Sequence, residues 1–516
     1  MGKELEKNLI QRVAMGDIFR RRAAVSPNAV AVIEKREQNR ITLSFRELNC
    51  RLNRFVRGVR NLGMKKGDRI GLLGLNSTEY LIALYGCAKG GFAAVPVNPG
   101  MNPEDLAYIF NHSEIKLLIS DDILVPLAQA IESKIDTLQY KICIDLGAET
   151  ELSSSWLNFN TLVKETDESE VEDIIINDRD IFEIIYTSGT TAQPKGVLIS
   201  HLSCFISSLS TMVEVQASHG FVSSALLPLF HCAQQAITNA CLHAGGSVVI
   251  TRQFNPLQVL KEIEEENINL IFALPIMYKA MLSVPEIEKI DMTSLDKCIY
   301  AMAPMDQPSL KKCINTFKAD FLLGTGQTEC FPPTNIFKPE WQLIKDGNYW
   351  GESSLILDTA VMDEDGKILS TGEVGEIVWR GPAVMESYLS NEKATEESRK
   401  FGWHHSGDLG CFDEDGLLLF VDRKKDVIKS GGENVASLKV ERAILGDHRV
   451  EQAAVVGLPH EKWNEAVTAF IVPIKGSILT EDDILNLCKK ELGLFEVPKK
   501  IIFLEKLPVT STGKIR

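Results

Sequence analysis

Residues 186–196 gather groups that hold anions. Thr187, Ser188, Gly189, Thr190 and Thr191 stand in a row, and Lys195 follows shortly after them. Small residues let backbone N–H groups approach phosphate oxygens, hydroxyls add donors, and a lysine adds charge. A lysine about 4 Å from a phosphate oxygen gains roughly 4 kcal/mol at an effective dielectric of about 20, before desolvation. The Walker pattern G-x-x-x-x-G-K-[ST] is absent. On spacing alone the segment fits either an anion site or a polar surface turn.

An apolar run of strand length, residues 181–185, leads into this loop, and residues 270–273 and 321–323 have the same character. In open α/β sheets the chemistry gathers at the carboxyl ends of such strands. Nearer the N-terminus, helix and strand alternate. Ser44 and Glu47 form a capping box ahead of Phe45, Leu48, Leu52, Phe55, Val56 and Val59 at helical spacing, and Gly63 suits a C-terminal cap. Residues 69–75 read as a strand, Asn76 or Ser77 as the cap of a second helix, and residues 92–97 as the next strand. This rhythm predicts a mostly parallel sheet covered by helices.

From about Val361 the texture changes to short strands. The turns 363–366 and 413–416 read as hairpin turns rather than calcium loops, because an EF-hand needs a further spaced ligand and a Glu at its twelfth position. The acidic run 264–266 reads as a solvated helix face. A domain boundary falls near Asp422, with a small α+β unit after it.

Over 516 residues, 55 Lys and Arg against 70 Asp and Glu leave a formal charge of −15. The hydrophobic fraction of 45% excludes a disordered chain. The acid balance argues against nucleic acid or an anionic membrane as partner, although a few local cations can still hold a nucleotide. The 11 cysteines are scattered, with none at C-x-x-C spacing, so no zinc or redox motif is indicated. Their odd number suits a reducing compartment. The N-terminus lacks an apolar signal core, and the most apolar long stretch, 81–97, is broken by Lys89, Gly90 and Gly91. A cytoplasmic protein without a transmembrane segment is expected; oligomeric state is not readable.

Together with the 186–196 loop, five further motifs in order resemble those of the adenylate-forming (AMP-binding) acyl-CoA synthetases, whose relatives include luciferases and peptide-synthetase adenylation domains. Gly326-Gln327-Thr328-Glu329 is similar to the family's Gly-x-Thr-Glu motif, and residues 372–377 to a structural turn. Residues 403–408, ending in Asp408, resemble its Trp-x-His-Thr-Gly-Asp element. Residues 422–435 resemble the inter-domain hinge and the loop after it, and residues 512–515 the terminal Thr-Gly-Lys motif.

The resemblance implies an α/β fold. A large N-terminal domain, residues 1–422, would hold mostly parallel α/β subdomains plus a small β-subdomain. A small mobile α+β domain, 423–516, would carry the adenylation lysine. It implies ATP, Mg²⁺ and coenzyme A acting on a small carboxylic acid, which is first joined to AMP and then passed to the thiol. Thr187, Ser188, Gly189, Thr190, Thr191 and Lys195 would cradle the β- and γ-phosphates, with Thr325, Gly326 and Gln327 beside the nucleotide. Thr328 would touch the α-phosphate, Glu329 would ligate Mg²⁺, and Asp408 and Arg423 would hold the ribose. Lys514 would bridge the attacking carboxylate and the α-phosphate, Lys425 would be the hinge, and Gly431 and Gly432 would line the pantetheine tunnel. Those glycines equally suit a plain turn. Family chains usually run on past this point, so a natural chain extending beyond Arg516 is expected.

Several positions depart from the family pattern. Thr325 stands where many relatives carry an aromatic residue near the adenine. Ala301, Met302 and Ala303 replace a Gly-Gly-Ala stretch along the acyl pocket; Met302 either narrows the acyl channel or packs a core. His231 occupies a position that is usually aspartate in amino-acid-activating relatives, which argues against an α-amino acid substrate. With Gly324, Cys330 and Phe331 also in the pocket, a largely apolar acyl group is expected, of unreadable length. One alternative is an acyl-AMP ligase delivering to a carrier protein's phosphopantetheine. A nucleotide-binding pseudoenzyme is the other, and intact Lys195, Glu329, Asp408 and Lys514 argue against it.

Overall fold

The computed structural model describes residues 2–36, 39–148, 150, 152, 154–164, 167–187, 193–303 and 305–508. They fall into two compact units. The first comprises Met1–Asp346, Trp350–Asp358 and Trp379–Gly402, and the second Gly347–Tyr349, Thr359–Val378 and Trp403–Arg516.

In the first unit, one sheet runs Trp156–Asn158, Tyr140–Ile144, Leu117–Asp121, Arg69–Leu73, Ala93–Pro96 and Ile181–Thr187, all parallel. Lys195–Ser200 and Ser387–Tyr388 then extend it antiparallel. Its central strands are continuous apolar runs, as parallel strands buried on both faces must be. The helix Thr78–Gly90 is apolar nearly all round and buried along its whole length. The Ser77 hydroxyl caps it, accepting from the Tyr80 N–H, and Gly91 ends it in the left-handed region at φ +66°.

Asn76, the other expected cap, does something different. Its buried Nδ2 donates to the carbonyls of Ala225, Leu227 and Thr251 at 3.1, 2.9 and 3.2 Å, and its Oδ1 accepts from Leu229 N at 2.8 Å. One side chain thereby ties the first sheet to the strand ends of the second and fixes the segment that leads to His231. The second sheet runs Asn39–Ser44, Val30–Arg36, Ser247–Ile250, Val222–Ala225, Leu270–Ala273, Lys297–Tyr300, Asp320–Thr325 and Asn335–Phe337. It is parallel in the middle and antiparallel at either end.

In the second unit His404–Phe412 and Leu418–Arg423 form an antiparallel hairpin. Asp413 Oδ1 accepts from Asp415 N and Leu417 N, and Asp363 Oδ1 from Asp365 N and Lys367 N, so each carboxylate is used by its own turn. Further along, Glu433–Val435, Ile428–Ser430, Asn464–Pro473 and Val450–His460 form a sheet joined by Lys500–Phe503. The helices Ser437–Leu445 and Glu481–Glu491 close a core that includes Val440, Ile444, Val455, Val467, Ile471 and Ile484. Each fully buried Ile or Val there contributes about 1.5–3 kcal/mol over an exposed one.

The architecture is the mixed α/β one that the alternation of elements predicts. One detail differs: Glu266 is not on a solvated face, because its carboxylate is drawn in by Lys35 at 3.1 Å and Arg40 at 2.8 Å. Among the described residues no helix is long and apolar enough to cross a membrane.

Candidate active site

The strand Ile181–Thr187 forms because Phe182, Ile184 and Ile185 bury in the sheet, and it delivers the chain to the anion loop. Ser188, Gly189, Thr190 and Thr191 lie outside the described residues. Their flanks do not: Thr187 pairs antiparallel with Lys195, so the hydroxyl and the cation stand abreast where the hairpin begins.

Lys195 Nζ lies 4.9 Å from the centroid of the Tyr388 ring, a cation–π contact. The Tyr388 hydroxyl in turn donates to Glu329 Oε1 at 2.9 Å. Glu329 is also held through its backbone, its carbonyl accepting from Met385 N at 2.6 Å. Tyr388 is carried by a two-residue strand pinned to the Lys195 strand, with Leu389 N donating to the Gly196 carbonyl at 2.7 Å. Burial, then the adjacent Glu329, pushes the phenol of Tyr388 well above its ordinary pKa, so it stays a donor.

Thr328 opens the single turn Thr328–Cys330 beyond the strand Asp320–Thr325. Its Oγ1 lies 3.7 Å from Cys232 Sγ, which lies 3.8 Å from His231 Nδ1. His231 caps the helix Cys232–Ala244, its Nδ1 accepting from Ala233 N at 3.2 Å. That bond assigns the proton of the neutral ring to Nε2. Burial pushes the Cys232 thiol up to about 12, so it stays protonated.

The other pocket candidates separate by exposure. Ala301 and Cys330 are buried, and Ala303 is exposed. Met302 is 43% exposed and sits at φ +68°, so it does not pack a core. A methionine held in the left-handed region is an uncommon strain. Gly324 has room, since an added Cβ would meet Ile299 only at 3.6 Å, whereas at Gly326 it would lie 2.6 Å from the Pro332 Cβ. The Thr325 carbonyl accepts from Thr334 N at 2.9 Å, and Gln327 leads directly into the Thr328 turn.

In the second unit Asp408 and Arg423 are cross-strand partners, with Arg423 Nε 3.9 Å from Asp408 Oδ1. Asp408 N donates to Ser406 Oγ at 2.9 Å, and Ser406 Oγ donates to the Ile377 carbonyl at 2.5 Å. Glu376 organises this turn, accepting from Gly407 N at 3.0 Å and facing His405 Nδ1 at 3.1 Å and Lys424 Nζ at 3.3 Å. Burial raises the Glu376 pKa, but those donors outweigh it and hold the carboxyl below its usual range. Asp422, buried, accepts from Ser437 N and Oγ at 2.5 and 2.9 Å. Partial desolvation holds the Lys425 amine below its ordinary pKa. Gly431 and Gly432 make the two-residue turn between Ile428–Ser430 and Glu433–Val435, both at positive φ, as such hairpins require. Lys514 lies outside the described residues.

The model of the AMP-binding enzyme family matches residues 19–389, and that of the AMP-binding enzyme C-terminal domain matches residues 439–514. The chain belongs to the AMP-binding enzyme family. It is 31% identical over 498 residues to a feruloyl-CoA synthase of Amycolatopsis sp, covering 96% of both chains. It is 32% identical over 506 residues to a long-chain-fatty-acid–CoA ligase of Mycobacterium tuberculosis, covering 97% of this chain and 96% of that one. Its structure resembles the o-succinylbenzoate CoA synthetase of Bacillus subtilis solved with an acyl-adenylate, at a TM-score of 0.84 and 26% identity over 96% of each chain. The chain is thus an adenylate-forming enzyme of the acyl-CoA synthetase type.

Within this AMP-binding enzyme, Tyr388 and Cys232 carry no motif of their own in the sequence, whereas Glu376 lies inside the turn 372–377. Tyr388 follows no spacing signature, and Cys232 is one of many scattered cysteines. A weak signal existed for Cys232, which directly follows the expected pocket residue His231.

Proposed function

We propose that the protein activates a largely apolar carboxylic acid with ATP and passes the acyl group to coenzyme A. The observation that carries this reading is the chain Lys195–Tyr388–Glu329 beside Thr328, Cys232 and His231. It sets a cation, a carboxylate and hydroxyls at the mouth of the anion loop. In the first step a carboxylate oxygen of the acid attacks the α-phosphorus; an acyl–O–P bond forms and pyrophosphate leaves. In the second, the thiolate sulfur of coenzyme A attacks the carbonyl carbon and AMP leaves with the bonding pair. Negative charge builds on oxygens in both, so fixed donors and cations lower both barriers.

Thr187, Ser188, Gly189, Thr190, Thr191 and Lys195 hold the β- and γ-phosphates, and Thr328 the α-phosphate. Thr325, Gly326 and Gln327 border the nucleotide, while Asp408 takes the ribose hydroxyls with Arg423 beside it. Lys514 bridges the attacking carboxylate and the α-phosphate. Glu329 suits Mg²⁺: it is a hard oxygen donor, Tyr388 steadies its Oε1, and among the described residues no side chain bonds its Oε2. Bound there, the ion neutralises phosphate charge. His231, Ala301, Met302, Ala303, Gly324 and Cys330 border the acyl group, with exposed Met302 narrowing its path. Residues 1–422 and 423–516 act as two domains hinged at Lys425, and Gly431 and Gly432 line the pantetheine tunnel. The abundance of free thiols favours a reducing, cytoplasmic setting.

Pyrophosphate release against a panel of carboxylic acids, with and without coenzyme A, tests the reading. An acid that stimulates release, with AMP release then depending on coenzyme A, is expected. Acyl transfer, with AMP leaving, to a phosphopantetheinylated carrier but not to coenzyme A would favour delivery to carriers, and no stimulation by any acid would contradict the reading.

A further inference from the structure

The strand that feeds the anion loop carries a carboxyl that the chemistry above leaves idle. Glu183 lies beside Ala94 of the neighbouring parallel strand and is fully buried. Its Oε2 accepts from Gln235 Nε2 at 2.9 Å, and Gln235 lies on the helix that His231 caps. The same Nε2 donates to the Leu229 carbonyl at 2.9 Å, in the segment leading into His231. Because that carbonyl can only accept, the orientation of the Gln235 amide is fixed.

Two oxygens are then left over, both buried and both without a donor among the described residues: Glu183 Oε1 and Gln235 Oε1. Among the described residues an ionised Glu183 would be a buried charge with one side-chain hydrogen bond and no cation against it. The titratable groups facing it are Tyr80, Tyr85 and Cys87 on the helix Thr78–Gly90, Cys204 on His201–Glu214 and Cys232 on Cys232–Ala244. Burial raises every one of them, so all are neutral. The adjoining strands bring only Ala94 and Ile199 opposite it. A proton on Glu183 Oε1 would satisfy both leftover oxygens at once: the acid hydroxyl would donate to Gln235 Oε1 while Oε2 goes on accepting from Nε2.

We propose that Glu183 works as a neutral carboxylic acid in a two-bond pair with Gln235, a positioning device that locks the strand feeding the anion loop to the segment carrying His231. It rests on the functional reading above only for what the two ends hold, phosphates at one and the acyl group at the other. Burial pushes the Glu183 carboxyl up to about 8, in keeping with the pair. Below that pH the pair is intact. Above it the carboxylate faces Gln235 Oε1 with no proton between them, and the two elements are pushed apart.

Two measurements on the full chain test this. Infrared spectra with carboxyl-labelled glutamate should show at neutral pH a protonated-carboxyl component that Glu183→Gln removes, leaving that of Glu441, whose carboxyl burial pushes up to about 7. Acid-dependent ATP–pyrophosphate exchange should decline on the alkaline side from about pH 8 in the wild type, and that limb should be absent in Glu183→Gln, where two amides can pair at any pH. Glu183→Ala should lower kcat about tenfold, with Glu183→Gln restoring it to within about threefold. If Glu183→Ala fails to fold, the band and the Glu183→Gln profile decide. A protonated-carboxyl signal of the same intensity in the wild type and in Glu183→Gln, or an alkaline limb common to both proteins, overturns the proposal. If no acid supports exchange, the functional reading fails, whereas the infrared band still decides the protonation of Glu183.

Discussion

The Tyr388 hydroxyl donates to Glu329 Oε1 at 2.9 Å, while the face of its ring holds Lys195. One aromatic residue thus sets the spacing between the expected phosphate cation and the expected metal ligand. Tyr388→Phe keeps the ring and removes the donor. Acid-dependent exchange should fall about tenfold in kcat/KM, about 1.4 kcal/mol, and the Mg²⁺ concentration for half-maximal rate should rise. A Mg²⁺ titration checks this, and an unchanged half-saturation would count against the coupling.

Lys514 is the residue assigned to the first half-reaction alone. Lys514→Ala should slow adenylate formation by at least about 100-fold, roughly 2.7 kcal/mol, and largely spare thioester formation from supplied acyl-adenylate. Single-turnover assays of the two halves give the answer. Equal loss in both would remove the assignment.

His201 carries a pH dependence of stability. It is fully buried and stacked on Phe182, its Nδ1 accepts from Met15 N at 3.3 Å, and burial pulls its pKa down to about 4. Between that value and the unfolded value of about 6.5 the unfolded chain binds more protons. Its contribution, about 3 kcal/mol, is therefore full above pH 6.5 or so and is lost as pH falls toward 4. Urea unfolding at neutral and mildly acid pH should show the loss, and His201→Gln should flatten the slope whatever its own stability.

The glycine pair of the Ile428–Val435 hairpin should respond unequally. An alanine Cβ at position 431 would meet Trp463 at 3.0 Å, whereas at position 432 it meets nothing within 4 Å. Both substitutions bear the positive-φ penalty of about 1 kcal/mol. Gly431→Ala should be the more destabilising by roughly a further 1 kcal/mol, read by chemical denaturation. Equal losses would show that Trp463 yields at no cost.

Local signals carried the fold. The Ser44–Glu47 capping box is present with both of its bonds, and the apolar runs at 181–185 and 270–273 became strands. Such features depend on neighbours a few residues away, so periodicity and turn chemistry expose them. The side-chain partnerships did not follow. Tyr388 meets Glu329 and Glu183 meets Gln235 only because a strand is brought beside a turn or a helix distant in sequence. Asn76 looked like a cap because Asn suits that role, but the carbonyls of the second sheet out-competed the helix end for its amide. Met302 could be a core or a channel residue by type alone, and only its exposure separates the two.

The proposed chemistry joins the acid to AMP before it meets coenzyme A. Turnover of a carboxylic acid labelled with ¹⁸O in both carboxyl oxygens tests it most directly, because the oxygen that attacks phosphorus stays there when the thiol displaces AMP. Mass spectrometry should find one labelled oxygen in AMP and none in pyrophosphate. Label in pyrophosphate or inorganic phosphate, with unlabelled AMP, would contradict the account.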